Sequence, residues 1–288
     1  MPRSSLISLP ALFIPFSLLA APEAVKVEVL QNKLDHPWSL AFLPDNKGLL
    51  VTLKGGQLKR WQAGKGLSDP IVGVPKVWAN GQGGLLDVVL DPDFEKSRRI
   101  WLSFAEAGSD GKAGTAVGYG RLSDDLTRIE AFQVVFRQMP KLSTGNHFGG
   151  RLVFDGKGSL FIGLGENNQR PTAQDLDKLQ GKVVRLTEDG KVPPDNPFVN
   201  TPGARPEIWS YGIRNPQGMA LEPHDRQLWT VVNERDMLGS DLAPDYLTAI
   251  ELGDHFGWPW YYWGGYPDKR VEPANPAPQE YSKAPDYA

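Results

Sequence analysis

The sequence predicts an all-β fold of the β-propeller class. The first observation is a phrase that recurs four times at roughly 45 to 70 residue intervals, a period typical of blades that bury their faces against one another. The second is a turn-rich composition, with 31 glycines and 25 prolines among 288 residues. The third is the scarcity of helical periodicity.

Each copy of the phrase has a small or polar start, a short strand, an Asp/Pro/Gly turn and a second apolar or aromatic strand. The first runs from Trp38-Ser39-Leu40-Ala41-Phe42 through Pro44-Asp45 to Gly48-Leu49-Leu50-Val51-Thr52. The second runs from Gly84-Leu85-Leu86-Asp87-Val88-Val89-Leu90 through Asp91-Pro92 to Arg99-Ile100-Trp101-Leu102-Ser103. The third joins Gly150-Arg151-Leu152-Val153-Phe154 to Gly158-Ser159-Leu160-Phe161-Ile162. The fourth joins Gln217-Gly218-Met219-Ala220-Leu221 to Gln227-Leu228-Trp229-Thr230-Val231. A single β-sandwich is the second choice, because it would space its strands without repeating a phrase. One short helix is expected at Thr172–Leu179, after Pro171, within a loop between blades. Gly257-Trp258-Pro259-Trp260-Tyr261-Tyr262-Trp263 is expected to pack between blades. The expected division is a leader over 1–21, blades over 22–267 and an irregular extension over 268–288. Four copies imply about four blades and an open or partly closed ring, which would expose apolar blade edges and favour a homodimer.

Composition bounds the function. The chain is 40% hydrophobic and 23% charged with a formal net charge of −3, values that offer nothing basic enough for a nucleic-acid surface. Arg3, the apolar run from Leu6 to Leu19 broken by Pro10 and Pro15, and the small residues Ala20-Ala21 form a signal-peptide pattern. That run is too short and too proline-broken to span a bilayer. There are no cysteines, so disulfides, thiolate catalysis and cysteine-ligated metals are excluded. The periplasm fits an exported, cysteine-free chain.

The chemistry-bearing residues fall in a few phrases. His147 lies in Thr144-Gly145-Asn146-His147-Phe148-Gly149-Gly150-Arg151, where glycines are expected to leave the imidazole reachable. Tyr211-Gly212-Ile213-Arg214-Asn215-Pro216-Gln217-Gly218 supplies a guanidinium and an adjacent amide, which together can bind and polarise carbonyl oxygens. The pair of phrases suits oxidation of an alcohol or hydration of a carbonyl. Glu234, Asp236, Asp241 and Asp245 form an acidic stretch with oxygen ligands suited to a hard cation. His36, His224 and His255 lack such a context and are assigned to surface or packing.

These phrases also carry a resemblance. Pro37-Trp38-Ser39-Leu40-Ala41-Phe42, Gly81-Gln82-Gly83-Gly84-Leu85-Leu86-Asp87 and Asn146-His147-Phe148-Gly149-Gly150-Arg151-Leu152 resemble the soluble pyrroloquinoline quinone (PQQ)-dependent sugar dehydrogenases. Gly165-Glu166-Asn167-Asn168-Gln169-Arg170, Gln180-Gly181-Lys182-Val183-Val184-Arg185-Leu186, the Arg214-Asn215 phrase and Gly257-Trp258-Pro259 extend the match. The resemblance, strongest to the aldose sugar dehydrogenase branch, covers about Val25 to Pro259. It implies a six-bladed propeller holding PQQ and calcium at the top of its channel, C-terminally truncated in this chain. By the same resemblance His147 is the general base, and Arg214 and Asn215 bind the cofactor and polarise its carbonyl. Gln82 lines the pocket for cofactor and sugar, and Asn167 contacts substrate; the metal ligands expected from the acidic stretch itself are Glu234 and Asp236, where the aldose branch has a Gly-Pro-containing loop whose carbonyls bind the calcium. The stretch after Val232 departs from the aldose branch towards sorbosone dehydrogenase relatives. Two other readings stand beside it: a calcium-dependent, lactonase-like propeller hydrolase, and a non-catalytic propeller that binds a ligand or partner. None of these phrases identifies the physiological electron acceptor.

Overall fold

The structure, a computed structural model, describes residues 25–234, 245–262, 266–267, 283 and 286. The leader over 1–21 therefore lies outside the described residues, as do Asp236, Asp241 and most of 268–288. Residues 1–32 cluster as a unit separate from 33–288, and the described part of that unit, 25–32, contains no strand or helix.

From Pro37 onward the chain builds four successive antiparallel sheets in a propeller arrangement. Blade 1 comprises β1 (Pro37–Phe42), β2 (Leu49–Leu53), β3 (Gln57–Gln62) and β4 (Gly66–Leu67). Blade 2 comprises β5 (Leu85–Leu90), β6 (Arg99–Ala107), β7 (Ala113–Leu122) and β8 (Ile129–Arg137), with the helical turn α1 (Phe94–Ser97) between β5 and β6. Blade 3 comprises β9 (Leu152–Phe154), β10 (Ser159–Leu164), β11 (Lys182–Thr187) and β12 (Ile208–Tyr211). Blade 4 comprises β13 (Pro216–Leu221), β14 (Leu228–Val232) and β15 (Tyr246–Ile250). A hairpin of β16 (Tyr261–Tyr262) and β17 (Tyr266–Pro267) follows. The repeated phrase corresponds to the first two strands of each blade. The outer strands were not legible in it because they share no common wording.

Strand alternation distributes the core. On β6, Ile100, Leu102 and Phe104 join Leu43, Leu50 and Leu58 of blade 1, while the intervening Trp101 joins Leu152, Leu160 and Ile162 of blade 3. On β10, Leu160, Ile162 and Leu164 face blade 2, whereas Phe161 packs with Met219, Leu228 and Val232 of blade 4. A period of two thus sends neighbouring residues of one strand into different inter-blade cores. Both faces of a central strand are buried, so these strands read as continuous apolar runs.

The first strands pack consecutively, β1 on β5, β5 on β9 and β9 on β13. Polar groups join them too. Asp87 on β5 is fully buried and accepts from Ser39 Oγ at 2.5 Å, Arg151 Nη1 at 2.9 Å and the Leu152 amide at 2.8 Å. Arg151 also donates to Ser39 Oγ at 3.2 Å and to the Gln217 carbonyl at 3.2 Å, and its guanidinium lies 4.5 Å from the Trp38 ring. One guanidinium therefore touches all three of the other blades.

The expected helix at Thr172–Leu179 is corrected. A 3₁₀ turn spans Arg170–Ala173, and the residues after it form turns in the loop between β10 and β11, within blade 3 and not between blades. Partners from outside the segment hold these turns: the buried Lys182 Nζ binds the carbonyls of Thr172 at 3.1 Å, Ala173 at 2.8 Å and Gln180 at 2.8 Å. Thr172 O also meets the Asp175 amide at 3.2 Å, the i+3 spacing of a tight turn, and Ala173 O takes the Gly212 amide at 3.1 Å in place of one from its own segment. Burial pulls the Lys182 ammonium down to about 7; the charges of Asp175 and Asp177 oppose the fall and that of Lys178 adds to it. Trp258 is buried, and His255 stacks on Tyr211 with centroids 4.4 Å apart, as packing roles require. His36 and His224 are exposed.

Trp101 is fully buried, tilted against Tyr119 and edge-on to Phe154, and donates Nε1 to Asp91 at 3.2 Å. Trp101→Ala is expected to cost about 3–5 kcal/mol in denaturant unfolding, because it empties the core between blades 2 and 3. A loss under about 1 kcal/mol would contradict this packing.

Candidate functional site

The loops that precede β9 and follow β10, β12 and β14 meet at one end of the blades. His147 stands in the first with a backbone φ of 51°, a left-handed conformation uncommon for a residue with a side chain. Both of its peptide groups are held in that geometry. Its amide donates to Gln82 Oε1 at 2.8 Å, and its carbonyl accepts from Asn167 Nδ2 at 3.0 Å and from the Asn167 amide at 3.2 Å. Gln82, though exposed, is itself tied down by its own amide, which donates to the Gly145 carbonyl at 2.7 Å.

The following residues are held as tightly. Phe148 O accepts from Thr115 Oγ1 at 2.6 Å, the Gly149 amide donates to Asn215 Oδ1 at 3.2 Å, and Gly150 O accepts from Ser103 Oγ at 2.5 Å. The glycines serve this close approach. A Cβ on Gly165 would sit 2.1 Å from the His147 carbonyl oxygen and 2.8 Å from Asn215 Oδ1. The expectation that glycines expose the imidazole is therefore corrected. The His147 side chain is 8% exposed, and the glycines allow backbones of adjacent loops to close around it.

The imidazole is oriented by Glu166, a residue not singled out from the sequence as functional. Its Oε2 lies 3.0 Å from His147 Nδ1 and also accepts from the Asn168 amide. A proton on Nδ1 shared with that oxygen leaves Nε2 as the lone-pair nitrogen, the tautomer a general base needs. Glu166 is fully buried, which makes this contact unavailable to the solvent. Its position nineteen residues from His147 carried no local spacing signal. Only the antiparallel return of β10 against β9 brings the two together.

Arg214 and Asn215 lie beside this dyad. The Arg214 carbonyl accepts from the Glu166 amide at 2.9 Å, its Nη1 donates to the Asn233 carbonyl at 3.0 Å, and its guanidinium is 5.6 Å from the Trp258 ring. Asn215 uses Oδ1 for Gly149 and for Gln217 Nε2 at 3.0 Å. Glu234 is buried next to them, and burial pushes its carboxyl well above the usual carboxylate range; Arg214 opposes the rise, while Glu166 and Asp245 add to it. Asp245 brackets the stretch, accepting from the Glu234 amide at 2.8 Å and from Asn233 Nδ2 at 2.8 Å. Among the described residues, three buried oxygens of this network have no hydrogen-bond donor: Glu166 Oε1, Asn167 Oδ1 and Glu234 Oε2. His147, Gln82, Asn167, Arg214, Asn215 and Glu234 are thus drawn into one network. Asn167 stands fully buried within it, its amide turned to the His147 loop.

Comparison with known proteins agrees with this architecture. The glucose/sorbosone dehydrogenase family model matches residues 34–287. The aldose sugar dehydrogenase YliI of Escherichia coli K12 is 66% identical over 264 residues, which span 92% of this chain and 70% of that protein. Quinoprotein glucose dehydrogenase B of Acinetobacter calcoaceticus is 28% identical over 83% of this chain and 53% of its own length. The crystal structure of the E. coli soluble aldose sugar dehydrogenase in its apo form superposes with a TM-score of 0.82 at 62% identity, covering 90% of this chain and 73% of that one. The PQQ-bound aldose sugar dehydrogenase of Streptomyces coelicolor superposes at 0.71 with 31% identity, over 83% and 67%.

Two outcomes follow from the site's geometry. Gly165→Ala is expected to lose about 1–3 kcal/mol, since the new Cβ must displace the His147 carbonyl. Gly55→Ala, with nothing within 4 Å of its Cβ, serves as the control in the same urea titration. For Glu234, the folded protein binds a proton that the unfolded chain releases near 4.5, so this group costs stability as pH rises above that value. Glu234→Gln should accordingly stabilise the protein by about 1 kcal/mol or more near pH 7 and show little effect near pH 4. A pH-independent difference between parent and variant would refute the buried-acid assignment.

Proposed function

The chain belongs to the glucose/sorbosone dehydrogenase family, and on that premise we propose that it oxidises an aldose or related sugar, with His147 as the general base and PQQ as the electron acceptor. The observation that carries the reading is the His147–Glu166 contact, which sets an imidazole lone pair at the loop end of the blades. His147 Nε2 takes the proton of the substrate hydroxyl as the C–H bond gives up its hydride, and Glu166 steadies the imidazolium that results. When bound, PQQ supplies the two-electron acceptor for that hydride.

The residues fit such a group. Arg214 provides a fixed cation over an indole face, and Asn215 places its amide beside it with Oδ1 already committed to the backbone. That leaves Nδ2 as the donor towards an electron-rich oxygen. Gln82 contributes an exposed amide at the rim, and in this reading it contacts both cofactor and sugar while its Oε1 tethers His147. Asn167 contacts substrate in this reading, with Nδ2 committed to the His147 carbonyl and Oδ1 without a donor among the described residues.

Calcium belongs to the same reading through Glu234 and Asp236. Glu234 Oε2, buried with no donor among the described residues, serves as a hard-cation ligand once the ion displaces the proton that burial favours on this carboxyl. Among the described residues no group of three His, Asp or Glu side chains comes together to hold a metal, and Asp236 lies outside them, so no step is assigned to the ion. Export through residues 1–21 to the periplasm completes the reading. No helix among the described residues is long and apolar enough to cross a membrane.

The test is to titrate the purified chain with PQQ, with and without calcium, and to follow dye reduction by several aldoses. His147→Ala should lower turnover by about a hundredfold to ten-thousandfold while leaving PQQ binding nearly unchanged. Arg214→Ala should weaken PQQ reduction far more than Arg60→Ala on β3, away from the site. Full turnover in His147→Ala would overturn its role as the base, and equal effects of the two arginine substitutions would make Arg214 structural.

A further inference from the structure

We infer that the buried Asp87–Arg151 ion pair is a positioning device for His147, acting through the backbone of residues 147–152, in addition to joining the blades. The inference rests on the reading of His147 as the base.

The geometry is specific. Arg151 follows His147 by four residues and Leu152 opens β9, so these two positions anchor the C-terminal end of the imidazole-bearing loop. Asp87 holds both of them, with Oδ1 on the Arg151 guanidinium and Oδ2 on the Leu152 amide. The amide of Asp87 donates to Ser103 Oγ at 2.9 Å, and the same hydroxyl holds the Gly150 carbonyl. One residue of β5 thereby controls three consecutive positions of the loop, Gly150, Arg151 and Leu152. Arg151 fixes the lateral position by reaching Ser39 on β1 and Gln217 on β13, and its side chain is only 28% exposed.

Electrostatics makes the arrangement demanding. Burial pushes the Asp87 carboxyl up, and Arg151, Ser39 and the amides of Leu152 and Val88 pull it down. A buried charge keeps its form only while its partners stay in place, so the pair tolerates little displacement. A pair serving stability alone could be replaced by apolar side chains without consequence for the base. The bonds to the Leu152 amide and, through Ser103, to the Gly150 carbonyl have no such substitute.

Three full-length variants test this: Arg151→Lys, which keeps the charge but cannot reach three partners at once; Asp87→Asn, which keeps the shape; and Ser103→Ala, which cuts the link to Gly150. The first readout needs no cofactor. The chain has four histidines, so the ¹⁵N–¹H spectrum of its imidazoles can be assigned by substitution. The parent should show His147 as a single tautomer with the proton on Nδ1. The variants that melt cooperatively should show tautomer averaging at His147, with His255 unchanged. The second readout is dye-coupled turnover, where kcat should fall about tenfold to a hundredfold with KM within threefold, as expected for a misplaced base. Folded variants with an unchanged His147 signal and unchanged kcat would overturn the inference and leave the pair as a blade fastener. Failure of all three variants to fold would equally refute it, since a positioning role requires a fold that survives its loss. An inactive parent with a single His147 tautomer lost in the variants would sink the dehydrogenase reading while sustaining the positioning one.

Discussion

The structure depends on how the backbone from His147 to Leu152 is held. These six residues run across the loop end of the blades and lead into β9. Apart from backbone bonds to Gly163 at Gly150 and Arg151 and to Asn167 at His147, their peptide groups are satisfied by side chains brought from elsewhere: Gln82, Ser103 and Asp87 around blade 2, Thr115 on β7, Asn167 after β10 and Asn215 before β13. A buried peptide group without a partner costs about as much as a lost hydrogen bond. Each of those side chains is therefore required by the path of a single loop, and the loop in turn sets the distances between blades.

This reverses a common division between scaffold and site. In many folds a rigid framework carries adaptable loops. In this chain the inter-blade cores are apolar and non-directional, formed by alternating residues of β6 and β10, and they determine that blades stack. The polar network determines where they stop. Arg151 makes the point most directly, since a guanidinium with fixed donor geometry touches β1, β5 and β13 together. Charge and direction supply a registration that hydrophobic contact alone lacks.

The chemistry uses the same economy of placement. The left-handed His147 would relax without the bonds at its amide and carbonyl, and those bonds turn Nδ1 towards Glu166. Gly165 matters because it has no side chain to keep the His147 carbonyl away. Glu234, buried beside Arg214, shows the cost of such a network: its carboxyl is disfavoured as an anion, and an oxygen is left without a donor. Sites of this kind keep unsatisfied groups where a ligand or ion can meet them.

Much of this was legible in the sequence for a physical reason. Strand alternation and turn residues act over a few positions, so the four repeated phrases revealed the inner strands of each blade. The phrases around His147 and Arg214-Asn215 were visible because they concentrate glycine with polar groups. The Thr172–Leu179 segment does not form the expected helix because its carbonyls meet partners from outside it, Lys182 on β11 and the Gly212 amide after β12. Glu166 was hidden for the same kind of reason, because its partner stands nineteen residues away and meets it only when β10 folds back on β9. Local propensity determined the strands and the residue types at the site. Which buried oxygen faces which nitrogen was decided by the tertiary structure alone, since hydrogen bonds near 3 Å depend on loops from separate blades being closed together.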